Sequence, residues 1–242
     1  MFFGNGIDKK TLYIILAILV VVSLANAASD FWIETLLTIP AVVIAMTFHE
    51  FAHAWTADHF GDTTPRAQGR LTLNPAAHMD PFGFILLLFA GVGWGRPVEI
   101  NPNNFISNKS RATCEALVSL AGPLMNFILA ILFTIIYYAM LKYAPDTQLM
   151  VILINVVLYT ASINIGLGVF NLIPLPPLDG EKIFRRILPY RAIEWLDSNA
   201  NTLQLIFMIL WITGLLAYIV SPVVNTLFIF LFSCIGTIFG VF

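Results

Sequence analysis

The sequence predicts an all-α integral membrane protein, and its composition, the length of its apolar runs and its charge distribution all favour this fold class. Of the 242 residues, 59% are hydrophobic and only 11% are charged, whereas soluble domains carry about 25% charged residues. Several apolar runs reach the roughly 20 residues that a helix needs to cross a bilayer. No stretch resembles a nucleic-acid-binding surface, so we expect no nucleic-acid partner.

Six hydrophobic runs are candidate transmembrane helices, and a seventh run is too short to cross. The short run, Phe82–Trp94, contains three glycines and lies between Pro81 and Pro97. At that length a re-entrant or interfacial segment is expected rather than a full crossing. The six candidate spans are Thr11–Ala28, Phe31–Ala57, Leu117–Tyr143, Leu149–Leu172, Thr202–Val220 and Val223–Val241.

The first candidate span has a second interpretation. Lys9 and Lys10 precede its hydrophobic stretch, and the sequence Ala-Asn-Ala at residues 25–27 follows it. This order is typical of a secretory signal with its cleavage site. Residues 1–28 are therefore either a transmembrane helix or a cleaved signal, and Phe31 starts on the outer side in both cases.

The Lys and Arg residues predict the topology. Two precede the first span, five lie in the connection 58–116 and four in the connection 173–201, whereas the loops of the opposite side hold only Lys142. Such a strong bias places the basic segments in the cytoplasm by the positive-inside rule. We therefore expect a multi-pass protein of the cell membrane with both termini in the cytoplasm.

The connection between the second and third spans contains two short patterns typical of strands. Residues 69–75 and 96–102 each alternate apolar and polar side chains between glycines or prolines. A short β-hairpin insert and an irregular loop are equally compatible with these patterns. A hairpin would offer an exposed strand edge to an extended peptide.

The second span carries the motif H-E-x-x-H at residues 49–53. On a helix, positions four apart share a face, so His49 and His53 can bind the same ion. Glu50 lies beside them, where a carboxylate can transfer protons during a hydrolysis. Residues 32–55 contain only one further ionisable side chain. Ionisable groups inside an apolar span are costly, which favours a functional site over a coincidental motif.

Two histidines do not complete a catalytic zinc site, because three protein ligands and an open water position are expected. His59 and His78 are present, but neither is suitable as the downstream ligand of the longer soluble motifs. Asp179, beyond the fourth span, is a better candidate. The three prolines before it end the helix and unwind the backbone, and Gly180 permits a sharp turn.

These motifs resemble those of the site-2 protease family of intramembrane zinc metalloproteases. The first is H-E-x-x-H at residues 49–53, and the second is N-x-x-P-x-P-x-L-D-G at residues 171–180. Residues 121–126 also resemble the G-P-x-x-N element of the family in the intervening helix. The resemblance covers roughly residues 40–185.

The resemblance implies that His49, His53 and Asp179 bind one Zn²⁺ ion. It further implies that Glu50 is the general base and that Asn171 holds the substrate or the oxyanion. The expected activity is the hydrolysis of peptide bonds in or near the transmembrane segments of other membrane proteins. The expected partners are therefore such substrates and the lipid bilayer, and the active site is expected to open towards the cytoplasm.

The chain departs from many members of the family in one respect. The connection 143–148 is too short for their inserted peptide-binding domain, so a minimal member is expected. Residues 1–242 then form one multi-pass membrane domain with a catalytic core at about 31–185. The accessory helices are predicted at 11–28, 202–220 and 223–241.

Three further residues have both a functional and a structural interpretation. Asn126, after a Gly-Pro pair, either supports the metal ligands or hydrogen-bonds between helices. His78 and Asp80 either approach the metal, control the entry of water or cap a turn. The basic stretch Glu181–Trp195 is expected to lie on the lipid headgroups.

Two other functions also use a buried polar cluster. A divalent-metal transporter would need further carboxylates or histidines along a path across the membrane. The outer half of the chain offers few, essentially Asp30 and Glu34. A membrane-protein binder that keeps the fold without proteolysis has no need of a base such as Glu50.

Overall fold

The structure of the protein, a computed structural model, describes residues 29–90 and 95–241. Every regular element in these two ranges is a helix, as the composition predicts, and neither range contains a strand. The candidate span Thr11–Ala28, with its alternative as a signal, lies outside the described residues.

Nine α-helices form the described part of the chain. Capping side chains begin the two longest inner helices, because Ser110 and Thr147 accept hydrogen bonds from backbone N–H groups three residues later, both at 3.3 Å. The helices are α1 (Ser29–His59), α2 (Thr64–Ala67), α3 (Pro81–Ala90), α4 (Arg111–Tyr143), α5 (Gln148–Asn171), α6 (Asp179–Arg185), α7 (Tyr190–Ser198), α8 (Ala200–Ile212) and α9 (Leu215–Phe239).

Four of these helices are long and apolar enough to cross a membrane: α1 from Ile33, α4, α5 and α9. The first three coincide with predicted spans. They pack against one another as a three-helix unit, and α9 packs on α4 and α5. Alanines on the buried face of α1, such as Ala41 and Ala45, allow the backbones to approach closely.

The predicted boundary between the last two spans, 202–220 and 223–241, is wrong. Helix α8 ends after only 13 residues, a length of about 20 Å, which is less than the hydrocarbon thickness. The break falls at Gly214, whose φ of 73° lies in the left-handed region that glycine adopts easily. Helix α9 begins at the next residue and continues through Pro222, where the sequence analysis placed the break.

The insert between α1 and α4 is not a β-hairpin in its described part. Its one pairing there is an isolated antiparallel bridge between Met79 and Gly95. The two predicted strand patterns both end in Asn-Pro, and each pair begins a 3₁₀-helix instead. Asn74 and Asn101 cap these helices by accepting backbone N–H groups two residues later, both at 3.1 Å.

The described part of the short apolar run, up to residue 90, lies in α3, whose 10 residues span about 15 Å and are too few to cross a bilayer. The Met79–Gly95 bridge brings the two flanks of this run together. That geometry is what a re-entrant segment requires.

Candidate metal centre

The H-E-x-x-H helix and a residue 126 positions later meet at one point. The Nε2 atoms of His49 and His53 lie 3.0 Å apart, one turn from each other on α1. Each of them lies 3.1 Å from Oδ2 of Asp179, the first residue of α6. Both imidazoles are buried, and Asp179 is partly buried. The structure thus brings together the three side chains predicted as ligands.

Two glycines permit this approach. A side chain at Gly122 on α4 would overlap His53 Nε2 and would lie 2.6 Å from His49 Cε1. A side chain at Gly180 would overlap the backbone carbonyls of Leu172 and Ile173. The first glycine therefore lets α4 pass directly behind the imidazoles, and the second lets α6 fold back against the end of α5.

The hydrogen bond behind His53 determines which ring nitrogen faces the centre. Its Nδ1 lies 2.7 Å from the backbone carbonyl oxygen of Val118. A carbonyl can only accept, so Nδ1 carries the proton in the neutral ring. The Nε2 atom of His53 consequently presents a lone pair to the centre.

His49 is held in the same way by Asn126. The Asn126 side-chain nitrogen donates to the Ala45 carbonyl at 3.1 Å and to Asn164 Oδ1 at 2.9 Å. Its oxygen is therefore the acceptor for His49 Nδ1–H, at 2.6 Å. The Nε2 lone pair of His49 also points to the centre, and Asn126 lies directly behind a predicted ligand.

Two imidazole lone pairs and a carboxylate oxygen in contact repel one another unless a positive charge lies between them. Two imidazoles and a carboxylate are a donor set of catalytic zinc sites, where bonds of about 2.0–2.1 Å separate neighbouring ligand atoms by about 3.3 Å. The observed separations of 3.0–3.1 Å are close to this spacing. The residues present therefore fit a zinc ion.

Glu50 lies in the same cavity as the two histidines. Its Oε2 accepts the backbone N–H of Val98 at 2.9 Å, and its Oε1 has no hydrogen bond to the described residues. The cavity has a volume of about 160 Å³. It is lined by His49, Glu50, His53, Pro97, Val98, Ile100, Val118, Ser119, Asn171, Pro177, Asp179 and Lys182.

The remaining predicted residues fall into two groups. Asn171, the last residue of α5, lines the cavity, and its amide donates one bond to the Leu167 carbonyl at 3.0 Å. His78 does not line it; it is fully buried, and its Nε2 lies 2.8 Å from the Thr72 carbonyl. Asp80 accepts the backbone N–H of Gly83 at 2.8 Å at the start of α3.

A buried aspartate that the sequence analysis missed connects the insert to the end of α1. Asp62 is fully buried and accepts the Asn101 N–H at 2.6 Å and the Asn104 side-chain amide at 2.9 Å. Burial raises the pKa of Asp62, but the hydrogen bonds from Thr64, Asn101 and Asn104 together lower it below its usual value. These bonds hold the segment that carries Val98 beside Glu50.

Asn164 is a second residue that the sequence analysis missed. It is fully buried on α5, and its amide donates to the Thr160 carbonyl at 2.8 Å while its oxygen accepts Asn126. A signal for it was present, because it is a polar residue two helical turns before Asn171 in an apolar span. Gly122 and the Val118 carbonyl carry no comparable signal.

Four described helices are long enough to cross a membrane. Two imidazoles and a carboxylate form a buried set of possible metal ligands, with a glutamate beside them. These features are those of a membrane protein with the type of site that metal-dependent hydrolases use. Comparison with known proteins agrees. The chain matches Peptidase family M50 over residues 37–150 and 140–215. It therefore belongs to peptidase family M50, the site-2 protease family.

Three relatives illustrate the similarity. YwhC of Bacillus subtilis is 38% identical over 188 residues, 76% of this chain and 84% of YwhC. Rip2 of Mycobacterium tuberculosis is 34% identical over 142 residues, 57% of this chain and 52% of Rip2. Both are named "Putative zinc metalloprotease". MJ0392 of Methanocaldococcus jannaschii, named "Zinc metalloprotease", is 26% identical over 225 residues, 91% of this chain.

The chain spans about half the length of Rip2 and of MJ0392, at 52% and 54%. No solved structure matches it significantly.

Proposed function

We propose that the protein is a zinc metalloprotease that hydrolyses peptide bonds in or near the transmembrane segments of other membrane proteins. The observation that carries this proposal is the convergence of His49, His53 and Asp179 at 3.0–3.1 Å inside a bundle of membrane-length helices, with Glu50 in the same cavity. Membership of family M50 and the names of the relatives support a zinc metalloprotease. The proposal also includes one zinc ion per chain and cleavage within the membrane.

A bound zinc ion supplies a water of lowered pKa and polarises the scissile carbonyl. Glu50 accepts the proton of the attacking water and later passes it to the leaving amine. The Val98 N–H holds one carboxylate oxygen of Glu50 and leaves the other available for this transfer. The second N–H of the Asn171 amide, which its bond to Leu167 does not use, donates to the developing oxyanion.

The cavity limits the form of the substrate. Its volume of about 160 Å³ admits a short piece of extended chain, whereas an α-helix with side chains is about 10–12 Å across and keeps its carbonyls hydrogen-bonded internally. The substrate segment must therefore unwind before cleavage. We propose membrane proteins with helices of low local stability as the substrate class.

We also propose that the active site opens towards the cytoplasm, and one contact supports this orientation. Arg186 Nε donates to Thr113 Oγ1 at 2.8 Å and links the connection 173–201 to the start of α4. The two Lys- and Arg-rich connections that follow α1 and α5 thus lie at the same end of the bundle. The positive-inside rule then places both of them, and the cavity mouth, in the cytoplasm.

Cleavage of a model single-span substrate by the purified protein in liposomes tests the proposal. Glu50→Gln should abolish cleavage yet retain zinc, since the amide cannot accept the proton. Glu34→Gln, an exposed glutamate on the same helix, serves as the matched control and should cleave normally. Undiminished cleavage by Glu50→Gln would refute the assigned role.

Metal analysis of Asp179→Ala tests the ligand set. This variant should lose both zinc and activity, whereas Asp146→Ala, at an exposed aspartate between α4 and α5, should retain both. Full zinc occupancy in Asp179→Ala would show that Asp179 is not the third ligand. Flux of a divalent metal through the wild type, without cleavage, would favour a transporter instead.

A further inference from the structure

A second cavity of about 390 Å³ lies in the insert and shares no lining residue with the metal centre. Its walls are unusually basic for their size, with two guanidinium groups and one carboxylate. The lining residues are Gln68, Arg70, Ala77, Arg96 and Glu99.

Among the lining residues, Arg70 has a buried guanidinium nitrogen that a ligand could pair with. It is only 6% exposed, and its Nη1 is buried without a hydrogen-bond partner among the residues that the structure describes. A guanidinium keeps its charge at any physiological pH. A buried guanidinium nitrogen without a hydrogen-bond partner is unfavourable, so an anion in the cavity would stabilise this arrangement.

Arg96 adds a second positive charge to the same cavity. Its backbone N–H donates to the His78 carbonyl at 2.8 Å, which fixes the residue in the wall. Burial and the charge of Arg96 lower the pKa of Arg70, while Glu50 and Glu99 raise it. The two guanidinium groups therefore repel each other, and an anion between them would relieve the repulsion.

Glu99 does not neutralise the two arginines. Its Oε2 accepts the Gln68 amide at 2.8 Å, and within the described ranges it forms no ion pair with Arg70 or Arg96. The cavity thus keeps a net positive charge.

We propose that this cavity binds a phosphate group, either that of a phospholipid headgroup or that of a free phosphate compound. Two guanidinium forks match the oxygens of phosphate in a bidentate manner. The cavity lies in the connection that follows the membrane-length helix α1, and the last turns of that helix carry an exposed aromatic residue, Trp55. Headgroup phosphates and aromatic residues occupy that level of a bilayer.

Native mass spectrometry of the purified full-length protein, released from detergent micelles, tests the proposal. The probes are dioleoyl phosphatidylglycerol, dioleoyl phosphatidylethanolamine, dioleoylglycerol and sodium phosphate. The first two share their acyl chains with dioleoylglycerol, which lacks phosphate. The wild type should retain a phosphate-bearing probe and should not retain dioleoylglycerol.

Arg96→Gln is the decisive variant, because the residue is exposed and its loss should not prevent folding. Removing one charged donor to phosphate should weaken binding by about tenfold. Arg66→Gln removes the same charge from the same connection, at an arginine outside the cavity that pairs with Asp58, and should not change binding. Glu99→Gln keeps the bond to Gln68 and should tighten binding severalfold.

The outcomes separate the two sources of phosphate. Arginine-dependent retention of the phospholipids supports a headgroup site, and arginine-dependent retention of sodium phosphate alone supports a soluble ligand. The proposal is overturned by equal losses in Arg66→Gln and Arg96→Gln, by equal retention of dioleoylglycerol, or by a wild type that retains none of the probes.

Discussion

The two sides of the metal centre are held by different forces. The histidine side rests on hydrogen bonds inside a tight helix packing, since Asn126 and the Val118 carbonyl orient the imidazoles while Gly122 lets α4 approach them. The aspartate side rests on apolar packing: Leu178, directly before Asp179, is buried against residues of α8 and α9. The difference indicates that ring orientation needs directional bonds, whereas an irregular backbone segment needs a hydrophobic support.

The largest effect is expected from Gly122→Ala, which fills the space where α4 meets the imidazoles. The new methyl group must displace His49 or His53, so zinc affinity and cleavage should each fall by at least about 100-fold. Gly166→Ala on α5 is the control, because a side chain there meets none of the described residues within 4 Å. Normal zinc content in Gly122→Ala would show that the histidine side is more compliant than we infer.

A smaller loss is expected from Asn126→Ala. The variant removes the acceptor of His49 Nδ1–H and leaves the Ala45 carbonyl without its side-chain donor. Zinc affinity should fall by about 10–100-fold, the usual effect of losing a partner behind a metal-bound histidine. Asn155→Ala, whose amide bonds only within its own helix turn, should bind zinc normally in the same competition titration with a chelator.

The aspartate side is tested by Phe207→Ala, which removes a buried ring that packs beside Leu178. The free energy of unfolding should fall by about 3 kcal/mol, the cost of a large cavity. Zinc affinity should change less than in Asn126→Ala, since no ligand is reoriented directly. Phe230→Ala, at an exposed ring of α9, is the control; a metal loss in Phe207→Ala larger than that in Asn126→Ala would reverse the comparison.

The smallest effect is expected at Asp62, which belongs to neither the histidine side nor the aspartate side of the metal centre. Its hydrogen bonds connect the insert to the end of α1. Its folded pKa is lowered, so its contribution to stability is present above the unfolded pKa of about 3.9. The contribution is lost as the pH falls through the folded pKa. Thermal unfolding between pH 7 and pH 3 should show a steeper acid loss in the wild type than in Asp62→Asn, while Asp146→Asn should follow the wild type.

The histidine side was largely predictable from the sequence, and the aspartate side was not. His49 and His53 are four residues apart on one helix, so local geometry alone places them on one face. Asp179 is separated from them by two long helices; the proline-rich sequence before it made it a candidate, but no local geometry places it beside the histidines. Backbone groups such as the Val118 carbonyl, which fixes a ring tautomer, leave no trace in a sequence.

The helix breaks show a second limit of prediction. One span was predicted to end at Val220 and the next to begin at Val223, yet α9 continues through both residues, and the break falls at Gly214 instead. Proline is tolerated in membrane helices when neighbouring groups satisfy the freed carbonyl. Here the Ser221 hydroxyl donates to the Tyr218 carbonyl at 3.2 Å, the group that Pro222 cannot serve.

The hydrogen bond from the Val98 backbone to Glu50 has a practical consequence. Because the amide proton of Val98 is held by the carboxylate, its exchange with deuterium reports how often the base is released. A peptide that enters beside Pro97 and Ile100 must disturb that bond or compete with it. The rate of deuterium uptake at this single amide therefore measures substrate binding, and the measurement needs no label on the enzyme.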